Sequence, residues 1–148
     1  MNLSLCLSIL AILISLLHLV WSMYIGYRDG GHIKANSKIY YIEFSNYKEN
    51  KTIKSPNLKI EAVNYGRRPV ILTFLHTKYS NNAWGTSYID KENGYLKENE
   101  KYEIDFKPGD SNTFSPDGEQ AVELWFEDTL GRRYKVKNSK KNLKELWK

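Results

Sequence analysis

The chain is short of residue types on which many functions depend. Its 148 residues include one cysteine, Cys6, and three histidines. A single cysteine excludes an intramolecular disulfide, a cysteine-based zinc site and a cysteine nucleophile beyond the first segment. Charged residues are also absent at the start, because no Asp, Glu, Lys or Arg precedes Arg28. The beginning of the chain therefore differs in kind from the rest.

The histidines do not form a recognisable site. None of His18, His32 and His76 has a second histidine or a carboxylate at the spacing of a metal site or a catalytic triad. The sequence also has no glycine-rich phosphate loop and no nucleophile elbow. We therefore predict that the protein is not an enzyme and that it holds no cofactor or metal.

The uncharged start predicts a transmembrane anchor over residues 1–27. A helix needs about 20 predominantly apolar residues to cross the bilayer core, and residues 3–24 provide 22. Trp21, Tyr24 and Tyr27 gather at one end, where aromatic rings occupy the membrane interface. The alternative is a cleaved signal peptide, with a basic start, an apolar run of about 7–15 residues and a small-residue cleavage site. The run here is longer and has no basic start, which favours a retained anchor.

The distribution of basic residues around this segment predicts its orientation. Arg28, Lys34 and Lys38 follow the apolar run, whereas only the α-amino group precedes it. Because Lys and Arg accumulate on the cytoplasmic side of a span, we expect the N-terminus outside and the domain in the cytoplasm. The protein would then be a single-pass protein of the cell membrane.

One face of the predicted helix carries small and polar residues at successive spacings of 4, 3, 4, 3 and 4. They are Ser4, Ser8, Ala11, Ser15, His18 and Ser22. Small and hydroxyl residues on one face let membrane helices approach closely, and a histidine in the span is unfavourable against lipid. We predict that this serine stripe packs against a second copy or another membrane protein.

The remainder predicts one β-rich domain, residues 38–148, joined to the anchor by a juxtamembrane linker, residues 28–37. About seven short strands with alternating apolar residues are separated by turns too short for helical crossovers. A short helix beginning near Ser139 closes the chain. The pattern predicts an all-β fold, an antiparallel, immunoglobulin-like two-sheet β-sandwich. A five-stranded oligonucleotide-binding barrel is the second choice.

Within the first predicted strand, alternation places Tyr40, Ile42 and Phe44 on one face. Residues 46–56 are the longest polar stretch and are predicted to form a loop.

Three segments carry a resemblance to a known group of proteins. They are YIGYRDG at residues 24–30, after a Leu/Ser-rich helix, and the turns VNYGRRPV at residues 63–70 and EDTLGRRY at residues 127–134. In these the chain resembles small bacterial single-span membrane proteins with a C-terminal β-sandwich domain. That group has no assigned activity, so the resemblance implies a fold and no site residues. The Lys-, Asn- and Tyr-rich composition is typical of an AT-rich bacterial or phage genome.

The net charge of +5 is unevenly distributed. Residues 132–148 sum to +7, which leaves −2 for residues 28–131. Because a nucleic-acid-binding domain carries its basic residues over a binding face, nucleic acid is not the expected partner.

Two arginine pairs fall in two different predicted turns. Arg67 and Arg68 lie in one, Arg132 and Arg133 in the other. In an immunoglobulin-like topology these turns meet at one end of the sandwich, and the chain enters that end from the anchor. We therefore predict a membrane-facing basic cluster, in which each basic residue near an anionic leaflet adds about 1 kcal/mol of attraction.

The leading functional hypothesis is a membrane-anchored β-sandwich that binds another protein and performs no catalysis. Tyr41 and Trp125, on the polar faces of their strands, are predicted to be exposed and to serve as a partner patch. One alternative is an exported domain, periplasmic or surface-exposed, that binds envelope material. Another is a membrane-tethered nucleic-acid binder, which would need a basic sheet face with exposed aromatic rings. No small-molecule substrate is expected.

Overall fold

The computed structural model describes residues 3–46, 51–108 and 118–147, with the backbone alone at residues 45, 46 and 51–53. In these ranges an apolar helix is followed by strands and two short helices. In chain order the elements are α1 (Leu3–Arg28), β1 (Ile33–Asn46), β2 (Lys51–Asn64), β3 (Val70–Tyr79), β4 (Trp84–Tyr88), α2 (Lys91–Gly94), β5 (Tyr95–Leu96), β6 (Lys101–Phe106), β7 (Ala121–Asp128), β8 (Arg133–Lys135) and α3 (Ser139–Leu146).

α1 is one uninterrupted helix of 26 residues with no buried side chain. At about 1.5 Å per residue it is about 39 Å long, more than the roughly 30 Å of a bilayer's hydrocarbon core. An 18-residue window of α1 has a mean hydropathy of 2.6. The helix is therefore long and apolar enough to cross a membrane, a property that N-terminal signal sequences share.

The strands form two antiparallel sheets. The first has the order β1-β2-β6, and the second has the order β4-β3-β7-β8, with the short β5 paired to β3. β2 ends in the first sheet and β3 begins in the second, so the chain crosses between the sheets at the turn after Asn64. The prediction of an antiparallel two-sheet, all-β domain after an apolar helix is confirmed at this level.

The core lies between the sheets and draws on both. Leu58 and Ile60 of β2 and Leu72 and Phe126 of the second sheet have no exposed surface. Burying each such side chain fully contributes about 1.5–3 kcal/mol. Tyr102 of β6 packs edge-on against Phe126, with ring centroids 5.9 Å apart, and so joins the two layers directly.

α3 closes one end of the domain. Leu143 and Leu146 are buried in the core. Asn142 donates hydrogen bonds of 2.8 and 3.0 Å to the carbonyl and hydroxyl oxygens of Ser37 in β1. Asn138, in the left-handed conformation, precedes the helix, and Ser139 is buried in its first turn.

The hairpin of β1 and β2 is longer than predicted. Residues 51–56, predicted to be part of a polar loop, belong to β2, whereas residues 47–50 of that loop lie outside the described ranges. Pairing with β6 begins only at Leu58, so the hairpin extends beyond the sheet. The face with Tyr40 and Phe44 is consequently exposed, by 37% and 56%. The odd-numbered residues of the first half of β1, such as Ile33 and Ala35, face the core instead.

Candidate functional site

The connection between α1 and β1 is shorter than the sequence predicts. β1 begins at Ile33, so residues 29–32 form the whole connection, and residues 33–37 of the predicted linker belong to the first sheet. The N–H groups of Asp29 and Gly30 donate to carbonyls of the last turn of α1, at 2.8 and 3.1 Å. The helix therefore leads into the domain without a long linker.

The turn after β2 packs against this connection and forms a hydrogen bond with it. The N–H of Tyr65 donates to the carbonyl of His32 over 2.9 Å. Gly66 approaches the connection so closely that a Cβ at this position would overlap the carbonyl oxygen of Gly30. Glycine is the residue that permits this approach.

Three aromatic rings reinforce the contact. The imidazole of His32 stacks on Tyr27, with centroids 4.2 Å apart, and on Tyr65, with centroids 5.4 Å apart. Nε2 of His32 lies 2.6 Å from the carbonyl oxygen of Tyr27. The hydroxyl groups of the two tyrosines are 3.4 Å apart, and this hydrogen bond raises the pKa of Tyr65. The last turn of α1 is thus packed against the domain.

The predicted basic cluster is only partly assembled at this end. The N–H of Arg67 donates to the carbonyl of Arg28 over 3.1 Å. A Cβ on Gly31 would lie 3.2 Å from the carbonyl oxygen of Arg68 and 3.8 Å from Nη2 of Arg132, so both turns reach the connection. Arg133 instead reaches along the second sheet, with its guanidinium 6.0 Å from the centroid of Trp125.

Acidic residues neutralise most of the cluster. The ion pairs are Arg67 with Asp29 at 3.2 Å, Arg132 with Asp128 at 2.7 Å and Arg133 with Glu127 at 3.2 Å. Arg68 is exposed and has no carboxylate partner within the described ranges. The charge available to a membrane is therefore smaller than four arginines suggest, and the membrane-facing role of the cluster stays a prediction.

Asp128 organises the turn between β7 and β8. Its side chain is 1% exposed and accepts hydrogen bonds from the N–H groups of Leu130 and Arg132, from Nε of Arg132 and from the hydroxyl of Tyr134. Burial alone would raise the pKa of Asp128, but these hydrogen bonds outweigh it and hold the pKa below its usual value. Burial, together with the bond to Asp128, raises the pKa of Tyr134 to about 12.

The outer face of the second sheet carries an aromatic groove of about 240 Å³, here named the tryptophan groove. It is lined by Lys78, Trp84, Glu123, Trp125, Arg133 and Lys135. The Trp84 ring is 59% exposed and packs edge-on against Trp125, with centroids 4.4 Å apart. Trp125 is only 9% exposed, and its Nε1 is buried without a hydrogen-bond partner. The groove thus presents one exposed indole, which packs on a second indole that is buried.

His76 lies on β3 directly opposite Trp125 and packs against the tryptophan groove. Its ring stacks on Trp125, with centroids 5.3 Å apart, and its Nδ1 lies 3.0 Å from the hydroxyl of Thr86. Its Nε2 lies 3.2 Å from a carboxylate oxygen of Glu127, although the angle is poor for a hydrogen bond. The sequence did not predict this hydroxyl–imidazole–carboxylate arrangement, because its members come from three strands. Glu127 is shared with Arg133, which favours a structural role.

A second groove, of about 440 Å³, continues beside the first and is here named the lysine groove. Lys78 and Glu123 line both grooves, whereas Lys140, Lys144 and Trp147 belong to the lysine groove. Glu123 is paired with Lys135 and with Lys140, and the hydrogen bond from Lys135 is the main reason that its pKa is lowered. The cations therefore outnumber the acid along the joined surface.

The prediction that Tyr41 and Trp125 are both exposed is wrong for Trp125, and their role as a partner patch stays a prediction. Tyr41 is 53% exposed and donates a hydrogen bond of 2.9 Å to Glu145 of α3. Trp125 is buried under neighbours from three other strands of the second sheet, whereas Tyr41 belongs to the first sheet. Alternation along β7 alone gave no sign of these cross-strand neighbours.

The serine stripe lies on the surface of α1. The hydroxyls of Ser8 and Ser15 each donate a 2.9 Å hydrogen bond to the carbonyl four residues earlier, at Ser4 and Ala11. These hydroxyls are therefore satisfied within the helix, and any contact at the stripe depends first on the small size of the residues.

Within the described ranges, no group of three or more His, Cys, Asp or Glu side chains is placed to hold a metal ion. Comparison of the chain with protein-family models, with curated proteins and with solved structures found no match. The resemblance to small single-span bacterial proteins therefore stays a prediction.

Proposed function

We propose that the chain is a membrane-anchored protein-interaction module without catalytic activity. In this proposal α1 spans the bilayer, and the domain binds another protein through the outer face of its second sheet. The observation that carries it is Trp84, whose exposed ring packs on buried Trp125 among cationic side chains. Tryptophan and arginine are enriched where protein interfaces derive their binding energy. An isolated, solvated indole would carry less weight.

The fold we propose for the domain is an immunoglobulin-like β-sandwich. Strands β1, β2 and β6 would correspond to A, B and E of that fold, and β3, β7 and β8 to C, F and G, with β4 beside C. The observed neighbours β1-β2-β6 and β3-β7-β8 agree with this correspondence. In this correspondence the sheet with C, F and G is the one that carries the tryptophan groove.

A membrane anchor also gives a reason for the tight packing between the end of α1 and the domain. The stacked rings of Tyr27, His32 and Tyr65 and the close approach of Gly66 join α1 to the domain. Such a junction would present the groove at a constant height and angle above the bilayer. The serine stripe would bring α1 against a second copy or another membrane protein.

For orientation we propose a cytoplasmic domain, supported by Arg28, Lys34 and Lys38 after the apolar run. An exported domain that binds envelope material is the alternative. Protease treatment of intact cells separates them: a cytoplasmic domain stays protected until the membrane is opened. Digestion from outside, or a mature chain that begins near Met23, contradicts the proposal.

Site-specific photocrosslinking tests the interaction itself. A benzoylphenylalanine replacing Trp84 in the full membrane-bound chain should give a discrete adduct with another protein, identified by its crosslinked peptide. The matched control is the same probe at Phe44, an exposed aromatic residue of the first sheet. The same adducts at both positions, or none at position 84, would remove the basis of the proposal.

A further inference from the structure

We propose that the tryptophan and lysine grooves together bind an extended acidic peptide segment of the partner, an inference that rests on the proposed function. The grooves share Lys78 and Glu123, so an extended ligand can pass from one to the other. Their ends lie at Arg133, at the start of β8, and at Lys144, in α3. A single compact ligand would occupy only one of the two.

Charge determines the first part of the ligand's chemistry. Five cationic side chains line the joined grooves, namely Lys78, Arg133, Lys135, Lys140 and Lys144, against the single carboxylate of Glu123. That carboxylate is already engaged by Lys135 and Lys140, and Arg133 is paired with Glu127 at 3.2 Å. Lys78 and Lys144 have no carboxylate partner in the described part of the chain. An acidic ligand would supply carboxylate partners for these two ammonium groups.

Trp84 and Trp125 determine the second part. The ammonium of Lys78 lies 5.5 Å from the centroid of Trp84, close enough for a cation–π contact, yet the indole remains mostly exposed. A ligand residue with a flat apolar surface would cover it. Trp125 packs edge-on against Trp84, and its own Nε1 is too buried to meet a ligand in the groove.

A single-stranded nucleic acid is the competing anionic polymer, and the geometry favours it less. Such strands bind by stacking successive bases on exposed aromatic rings. In the tryptophan groove Trp84 offers an exposed ring, whereas Trp125 is 9% exposed and its ring is covered by His76 and Trp84. Glu123 also lies where the two grooves join, against the path of a backbone with a charge at every nucleotide. An acidic peptide can place an uncharged residue there.

The test uses the full chain in nanodiscs of zwitterionic lipid and measures fluorescence anisotropy. The probes are a short fluorescein-labelled peptide of alternating glutamate and alanine with one central proline, and a fluorescein-labelled oligothymidylate of similar length. We expect the peptide to bind and its affinity to fall as salt is raised. Trp84→Ala should weaken this binding about tenfold or more, as for a central interface residue.

A second variant guards against a folding defect in the first. Lys78→Gln combined with Lys144→Gln removes two cations that have no carboxylate partner in the described ranges, and it should weaken peptide binding about twofold to thirtyfold, as expected for the loss of two exposed charge pairs. The charge-matched control combines Lys91→Gln and Lys97→Gln, two exposed lysines that line neither groove. This control should bind the peptide like the unmodified chain.

The outcomes separate this inference from the proposed function. Equal losses in the control and in the groove variants, or no peptide binding, overturn the inference. Tighter binding of the oligothymidylate, lost in the same groove variants, identifies nucleic acid as the occupant and also overturns it. If photocrosslinking at position 84 still captures a protein through a neutral or basic segment, the proposed function stands and only the acidic partner is rejected.

Discussion

Asp128 accepts a hydrogen bond of 2.7 Å from Nε of Arg132, inside the turn that joins β7 to β8. The same carboxylate accepts the N–H of Arg132 at 2.9 Å, so one acid holds both the backbone and the side chain of this arginine. An arginine that the sequence suggested for a membrane surface therefore has a structural task as well. Three of the four arginines in the predicted cluster form an ion pair with a neighbouring carboxylate in this way.

Replacing Asp128 with Asn should lower the free energy of unfolding by about 2 kcal/mol, because hydrogen bonds to a charged group contribute about 1.5–3 kcal/mol. The amide of Asn cannot accept a bond from Nε of Arg132 at the position of Oδ2. Urea unfolding of the full chain in detergent, followed by tryptophan fluorescence, measures the effect. Asp105→Asn, at an exposed acid of β6, is the control and should change the free energy by less than about 0.5 kcal/mol.

The same carboxylate predicts how stability depends on pH. Its pKa in the folded state lies below the ordinary 3.8, so the stabilisation is fully present above pH 3.8 and is lost as the pH falls through the folded-state pKa. For Tyr134, raised to about 12 from 10.0, the stabilisation is present below pH 10.0 and is lost as the pH rises through about 12. Between neutral pH and strong acid, urea titrations should therefore show that the difference between the unmodified chain and Asp128→Asn shrinks as the carboxylate is protonated. A constant difference down to the lowest pH would contradict this assignment.

The two tryptophans of the tryptophan groove should respond differently to removal. Trp125→Ala should destabilise the domain by about 3 kcal/mol, the range for truncating a large buried aromatic residue. Trp84→Ala should cost less than about 1 kcal/mol, because most of its ring is already in water. The same urea measurement distinguishes them. Equal losses would mean that Trp84 is a structural residue, which would weaken its assignment as a contact residue.

Local patterns were sufficient where one physical effect dominates. The uncharged run before Arg28 predicted α1, since a bilayer-length apolar segment has few other uses. Leu124 and Phe126 occupy alternate positions of β7 between Glu123 and Glu127, and both are fully buried, as period-two alternation predicts. In these two segments the local pattern predicts the structure without knowledge of the neighbouring strands.

Patterns failed where the decisive neighbours lie on other strands. In β1, apolar residues occupy both parities, so alternation could not tell that Ala35 faces the core and Phe44 faces solvent. The burial of Trp125 depends on His76 and Trp84, which are distant along the chain and meet it only through strand pairing. The tryptophan groove is a product of that pairing, and it could not be predicted from spacing.

Gly66→Ala should loosen the junction between α1 and the domain, since the added Cβ would overlap the carbonyl oxygen of Gly30. Spin labels on Cys6 and on a cysteine that replaces the exposed Leu130 report the distance between helix and domain, measured by double electron–electron resonance. We expect a narrow distance distribution for the unmodified chain and a broad one for Gly66→Ala. Gly26→Ala is the matched control, because a Cβ there meets nothing within 4 Å. Broadening by both substitutions, or by neither, would show that this contact does not hold the helix.

The serine stripe can be separated into a contribution from size and one from hydrogen bonding. Because Ser8 and Ser15 already bond to carbonyls of their own helix, replacing both with Ala should preserve helix association in a membrane two-hybrid assay. Replacing both with Leu should weaken it, since bulky side chains prevent the close approach that small residues allow. Changing Leu5 and Leu16 to Ala, outside the stripe, should have no effect. If replacing Ser8 and Ser15 with Ala weakens association as much as replacing them with Leu, the hydroxyls must bond to the partner helix. If the changes at Leu5 and Leu16 weaken association equally, the stripe is not the interface.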